Sequence, residues 1–141
     1  MDTHEGANMQ TTVKAALARV MAGTINFPTY LKAIAAAGVK RYAVDIATHT
    51  ITFQSAGKTV TEQVPGSITI SDRFNKTDLL AAIRDSLQGD LRYPAFLHRI
   101  AQAGVQTYAV ELSSGAVIYA GHGQTHIEPI PGIVPPLLIT P

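Results

Sequence analysis

Apolar positions along this chain alternate between two periods. In "TTVKAALARVMAG", residues 11–23, Val13, Leu17, Val20 and Met21 fall at helical spacing and the pattern stops at Gly23, which predicts a half-buried helix. Leu31, Ile34 and Ala35 mark the face of a second helix, with Pro28 in its first turn and Gly38 after its last. Proline suits that turn because its missing N–H has no helical acceptor. Gly38 supplies the left-handed residue that lets Val39 pack back on Ile34. The period then drops to two. In "RYAVDIA", Tyr42, Val44 and Ile46 alternate with Ala43, Asp45 and Ala47. After the turn "ATHT", "TITFQ" returns with Ile51 and Phe53 on one side, and after "SAG", "KTVTEQV" runs to Pro65-Gly66. These are strands with one buried face. "SITIS", residues 67–71, is expected to add a short fourth strand.

The same pattern then recurs. Shifted by 66 residues, "FPTYLKAIAAAGVKRYAVDI" from Phe27 lies over "YPAFLHRIAQAGVQTYAVEL" from Tyr93, and 15 of the 40 positions from Phe27 to Gly66 are identical to their counterparts. Pro28/Pro94, Leu31/Leu97, Ile34/Ile100, Gly38/Gly104, Tyr42/Tyr108 and Gly57/Gly123 are among them. The second set of strands reads "TYAVELS", "SGAVIYA" and, after "GHG", "QTHIEPI". Two copies are too few for a solenoid. The expectation is an α+β fold of tandem duplicated ααβββ units, about 9–72 and 75–138, with antiparallel sheet, helices packed on one face and a pseudo-twofold axis. A unit of this size buries little core alone, so residues 1–141 are expected to form one domain in which each copy covers the other.

Composition narrows the function classes. Of the 141 residues, 46% are hydrophobic and 15% charged, and 11 basic against 10 acidic side chains leave a net charge of +1. Phosphate binding needs clustered Lys and Arg, and none stands out, so no nucleic-acid partner is expected. The chain has no cysteine, which removes disulfides and thiolate metal sites. "MDTHEGANMQ" lacks signal-peptide features, and no apolar run reaches the ~20 residues of a membrane span. A soluble, cytoplasmic protein without membrane contact is expected.

"LLAAIRDSLQGDLRYPAFLHRIAQAGVQTYAVELSSGAVIYAGHGQTHIEPIPG" resembles the C-terminal half of the DUF1398 proteins, also called YbcV-like or phage-envelope-protein-like. "MAGTINFPTYLKAIAAAGVKRYAVDI" is similar to their first half. The likeness extends over nearly the whole chain and implies no activity, since the family is of unknown function. Gln124 stands where the family usually has Glu, Val105 where it has Cys, and "HTITF" where it has "E-K-T-Y-Y".

Side chains with potential chemistry are few. In "GHGQTHIEP", His126 and Glu128 share a strand face, and His122 lies in a glycine-flanked turn that could fold towards them. Two imidazoles and a carboxylate can hold a divalent cation. The first copy has Val60 and Glu62 where the second has His126 and Glu128, so the scaffold does not require histidine there. No metal and no cofactor are expected. Asp45/Glu111 and Glu62/Glu128 are the acidic positions shared by both copies. Paired carboxylates can serve acid–base chemistry if their environments separate their pKa values. No nucleophile or oxyanion donor accompanies them, and there is no GxSxG, P-loop or Rossmann glycine pattern. Tyr42 and Tyr108 are expected on the apolar strand face with their hydroxyls at its rim.

Five of the eight prolines fall in "IEPIPGIVPPLLITP", residues 127–141. This Pro-rich apolar tail must lie across the protein's own surface or dock on a partner. The expected function is a non-enzymatic binding or assembly module, self-associating as a homodimer with help from the tail. The alternative is a small-ligand or metal-dependent enzyme using His122, His126, Glu128 and Glu111.

Overall fold

The computed structural model describes residues 2–88 and 91–130. The elements run α1 (Asp2–Ala22), α2 (Phe27–Ala36), β1 (Arg41–Asp45), β2 (Thr50–Ser55), β3 (Lys58–Gln63), α3 (Lys76–Leu87), α4 (Tyr93–Gln102), β4 (Thr107–Glu111), β5 (Ala116–Gly121) and β6 (Gln124–Pro129). This is an α+β architecture in which the order ααβββ occurs twice. Helix α1 starts at Asp2, about two turns earlier than the apolar pattern alone marks.

Capping chemistry sets the helix ends. Asn26 accepts the Thr29 N–H at 2.9 Å ahead of α2, and Asn75 accepts that of Asp78 at 3.0 Å ahead of α3. Each satisfies a donor that the first turn leaves free. After α2, Gly38 N–H donates to Ala35 and Val39 N–H to Ile34; after α4, Gly104 donates to Ala101 and Val105 to Ile100. Both are Schellman caps, as the glycine spacing predicts.

All six strands join one antiparallel sheet in the order β3-β2-β1-β4-β5-β6. The halves meet along β1 and β4, with Ala43 opposite Ala109, Tyr42 opposite Val110 and Val44 opposite Tyr108. Ala43 and Ala109 are 66 positions apart, so the ladder is centred on a residue facing its own counterpart. Two further counterpart pairs meet in the core: Phe27 stacks on Tyr93 at 5.5 Å, and Tyr42 meets Tyr108 edge-on at 6.0 Å. One face of the strands is closed: Tyr42, Val44, Ile51, Phe53, Tyr108, Val110, Val117 and Tyr119 are all buried with α1 to α4 residues in one hydrophobic cluster. The alternate strand residues are half-buried or exposed.

Residues 67–71 form no strand. The segment 64–75 runs along one end of the sheet. Ser71 N–H donates to Ala101 at 2.9 Å and Asn75 N–H to Ala103 at 2.7 Å, so its backbone pairs with the end of α4. Ile68, Ile70 and Phe74 pack against the core, and that burial accounts for the apolar alternation of "SITIS". Gly104 lies directly beneath. A Cβ there would run into the Arg73 carbonyl and lie 2.7 Å from Phe74 Cα, whereas a Cβ on Gly38 would meet nothing within 4 Å. Both glycines have positive φ, 89° and 101°.

Two outcomes follow from this packing. Gly38→Ala is expected to cost about 1 kcal/mol through its left-handed backbone, and Gly104→Ala at least about 2 kcal/mol because overpacking is added; urea denaturation of the two variants checks the order. Residues 1–72 alone expose the β1 edge and half of the core, so calorimetry of that fragment is expected to show no cooperative transition from a monomer.

Candidate functional site

Of the six acidic and imidazole side chains singled out by sequence, His126 and Glu128 meet and the other four occupy separate places. Asp45 ends β1 and accepts the Thr48 N–H at 3.2 Å and its hydroxyl at 3.1 Å, closing the β1–β2 turn. Glu111 ends β4 and accepts the Arg41 guanidinium across the ladder. These two carboxylates sit at opposite ends of the ladder, since Asp45 faces Thr107 and Glu111 faces Arg41; four residues of strand separate them by roughly 14 Å. Glu62 lies on edge strand β3 opposite Ile51, and Glu128 on edge strand β6 opposite Val117. Five strand spacings put these two roughly 24 Å apart. Neither pair forms the coupled carboxylate couple that acid–base chemistry uses.

His126 and Glu128 do come together. They share a face of β6, with His126 Nε2 2.6 Å from Glu128 Oε2. That face is the helix-covered one, where His126 sits beside Tyr119 and Glu128 beside Val117. Glu128 also borders a small apolar hollow with Phe27, Ile83, Leu87, Phe96 and Tyr119. Burial, seconded by the Glu128 charge, holds the Tyr119 phenol above its ordinary range. His122 turns elsewhere. Its φ of 53° and that of Gly123, 78°, build the two-residue β5–β6 turn. Its backbone N–H donates to Gln106 Oε1 at 2.9 Å, and its Nε2 lies 2.8 Å from the Ser71 carbonyl oxygen. His122 thus fastens the 64–75 segment instead of joining His126. Among the described residues, no three His, Asp or Glu side chains are grouped to hold a metal ion.

The tyrosines depart from expectation. Tyr42 and Tyr108 are 0% and 1% exposed, with their hydroxyls inside the core and not at a rim. The rings of Tyr30 and Tyr93, carried by α2 and α4, close over them. Tyr93 and Tyr108 share a hydroxyl–hydroxyl hydrogen bond. The hydroxyls of Tyr30 and Tyr42 are buried without a partner of hydrogen-bonding geometry among the described residues. Burial raises all four phenols far above their usual range, so they are neutral hydrogen-bonding groups and not bases.

Sequence reasoning passed over His49. It is 3% exposed, and its Nε2 has no partner among the described residues. Its φ of 51° is left-handed, and its counterpart 66 positions on is Gly115, with φ 75°. That His/Gly exchange was the legible signal, because a position that takes glycine in one copy often needs positive φ in both. Burial, and then the neighbouring His98, depress the His49 pKa below 6.5.

The unfolded chain binds the His49 proton first, so stability is lost as pH falls below the unfolded value. The denaturation midpoint is expected to drop between about pH 7 and pH 5, and His49→Asn, which tolerates the left-handed backbone, is expected to flatten that slope. Urea titrations at the two pH values measure it.

No curated protein matches the chain. The resemblance in sequence extends over nearly the whole chain, and the family match spans the unit from α1 to β3. Residues 4–63 match the family described as "Protein of unknown function (DUF1398)".

Proposed function

We propose that the protein is a non-enzymatic binding and assembly module that forms a homodimer through the helix-free face of its sheet. The observation that carries this is the composition of that face. On β4, β5 and β6 it presents Ala109, Ala116, Ile118, Ala120 and Ile127, with Ile127 63% exposed. On β2 and β3 it continues as Thr50, Thr52, Thr59 and Thr61. Its charges among the described strands are Arg41, Asp45 and Glu111, and Arg41 and Glu111 neutralise one another. A nearly uncharged surface with an apolar half suits sheet-on-sheet packing. Six strands of this length project roughly 500 Å², and accessible area exceeds projection, so the face approaches the ~800 Å² per partner of a stable complex. Twofold pairing would set the apolar half of one copy against that of the other. The dispersed carboxylates, which form no coupled acid–base couple, support a non-enzymatic role.

Sedimentation equilibrium of the full chain is expected to show a dimer at micromolar concentration. Ile127→Glu is expected to weaken it at least tenfold, about 1.4 kcal/mol, while circular dichroism shows the fold of the monomer retained. A monomer throughout, or a dimer indifferent to Ile127→Glu, overturns the proposal. So does stoichiometric zinc or manganese in untagged protein that His126→Ala removes, which would favour the metal-dependent alternative.

A further inference from the structure

The two ends of the sheet are built from the same positions and finished differently. At one end β5 closes on the cap of α4: a Cβ on Gly121 would run into the Gly104 carbonyl. The 64–75 segment covers that end, held by Ala101, Ala103 and the His122 ring. At the other end the residue 66 positions before Gly121 is Ser55, which carries the side chain that Gly121 has no room for. A Cβ on Gly38, the counterpart of Gly104, would meet nothing within 4 Å. The β2–β3 hairpin thus stands clear of the end of α2, and an open cavity of about 480 Å³ lies between them, bordered also by Met9 and Thr12 of α1. Charge follows the same division. Lys40 and Lys58 line the open cavity, and their counterparts are Gln106 and Gln124. Gln106 serves its own end as an uncharged acceptor for the His122 N–H. Among the described residues the lining of the open cavity holds two lysines and no carboxylate. The C-terminal end of α2 brings about half a negative charge there, against two full positive ones, so the lysines set the sign of the potential. Most of residues 127–141, the apolar tail singled out by sequence, lies outside the described residues.

We propose that this cavity binds a small organic phosphate monoester. Such a group carries ~1.5–2 negative charges at neutral pH, which the two ammonium groups of Lys40 and Lys58 match. Lysine serves a phosphate as a point charge and needs no planar fork to do so. The hydroxyls of Thr12 and Ser55, on opposite sides of the cavity wall, are donors for the phosphate oxygens. The size of the cavity decides between a bare ion and a molecule: about 480 Å³ falls within the ~300–1,000 Å³ of small-molecule sites. The methyl groups of Ala36, Ala37 and Ala56 give the organic part a surface to lie on. The cavity is at an end of the sheet and the proposed dimer face is its helix-free surface, so either proposal can fail without the other.

Glycerol 3-phosphate is the probe. Titrated into the isotope-labelled full chain at millimolar concentration, it is expected to shift the amide signals of Gly38, Lys40, Ser55 and Lys58 saturably and to leave those of Gly104, Gln106 and Gln124 in place. Lys40→Gln with Lys58→Gln installs the residues that the second half carries at these positions, so the fold is expected to be retained, which circular dichroism checks. The dissociation constant of that double variant is expected to rise at least about tenfold. Lys14→Gln with Lys32→Gln removes the same charge from exposed helix positions outside the cavity lining and is expected to leave the constant unchanged. The absence of a saturable shift, or an equal loss in the two double variants, overturns the proposal. Inorganic phosphate or succinate binding as tightly as glycerol 3-phosphate also overturns it, because the cavity then reads charge alone.

Discussion

The β1–β4 ladder is the contact on which the rest depends. Each ααβββ unit has a strand edge and half an apolar layer that it cannot cover alone. Joining the two edges antiparallel satisfies five residues of backbone on each side and makes one six-stranded sheet. The central pair, Ala43 and Ala109, is small on the open face, so nothing there obstructs the register. A one-residue slip would turn Tyr42, Val44, Tyr108 and Val110 out of the core. The Arg41–Glu111 pair adds a further preference at one end of the ladder; being partly exposed, it contributes to register more than to stability.

Because that ladder lies at the middle of the sheet, the largest side chains converge above it. Phe27, Tyr30, Tyr42, Phe53, Tyr93, Phe96, Tyr108 and Tyr119 form a connected set of ring contacts. This gives the core much of its apolar area. It also places phenol hydroxyls where water is excluded, which costs free energy wherever they lack partners. Phenylalanine already stands at one of each counterpart pair Phe27/Tyr93, Tyr30/Phe96 and Phe53/Tyr119. The aromatic scaffold is thus common to both halves, while the hydroxyl pattern is particular to this arrangement and specifies how α2 and α4 sit on the strands.

The fold was legible because its signals are local. Glycine after an apolar helix face, period-two alternation and a 66-residue echo gave the caps and the strand turns within a residue or two, though not the start of α1 or the course of residues 67–71. What could not be read was where strands go once their edges are satisfied. "SITIS" alternates like a strand, yet β3 is followed by a crossing to α3, and Ala101 and Ala103 capture its backbone. Tyr42 and Tyr108 were legible as inward-facing, but their depth depends on Tyr30 and Tyr93 arriving from other elements. The site was less legible still. His126 and Glu128 pair because a strand brings alternate residues together. His122 leaves them because its partner, Ser71, is 51 positions away, and no local pattern reports such a contact.

The places where the two halves differ are the informative ones. A single sheet in which the order ααβββ occurs twice imposes like demands on like positions, and Gly38/Gly104 or Tyr42/Tyr108 answer to those demands. His49 against Gly115 does not: the turn accepts glycine, and the histidine adds burial of an imidazole at an energetic cost. His122 against Ala56 is different again, because it has a job that only one end of the sheet offers, clasping the segment that must connect β3 to α3. That connection cannot be left loose, since it carries the chain into the second half; hence a hydrogen-bonded strap with a histidine clasp. At the other end the chain leaves β6 by the counterpart bond, Ile130 N–H to Gly115, and Ala56 stands where His122 stands in the second half; among the described residues, the histidine clasp therefore belongs to the Gly104 end of the sheet alone.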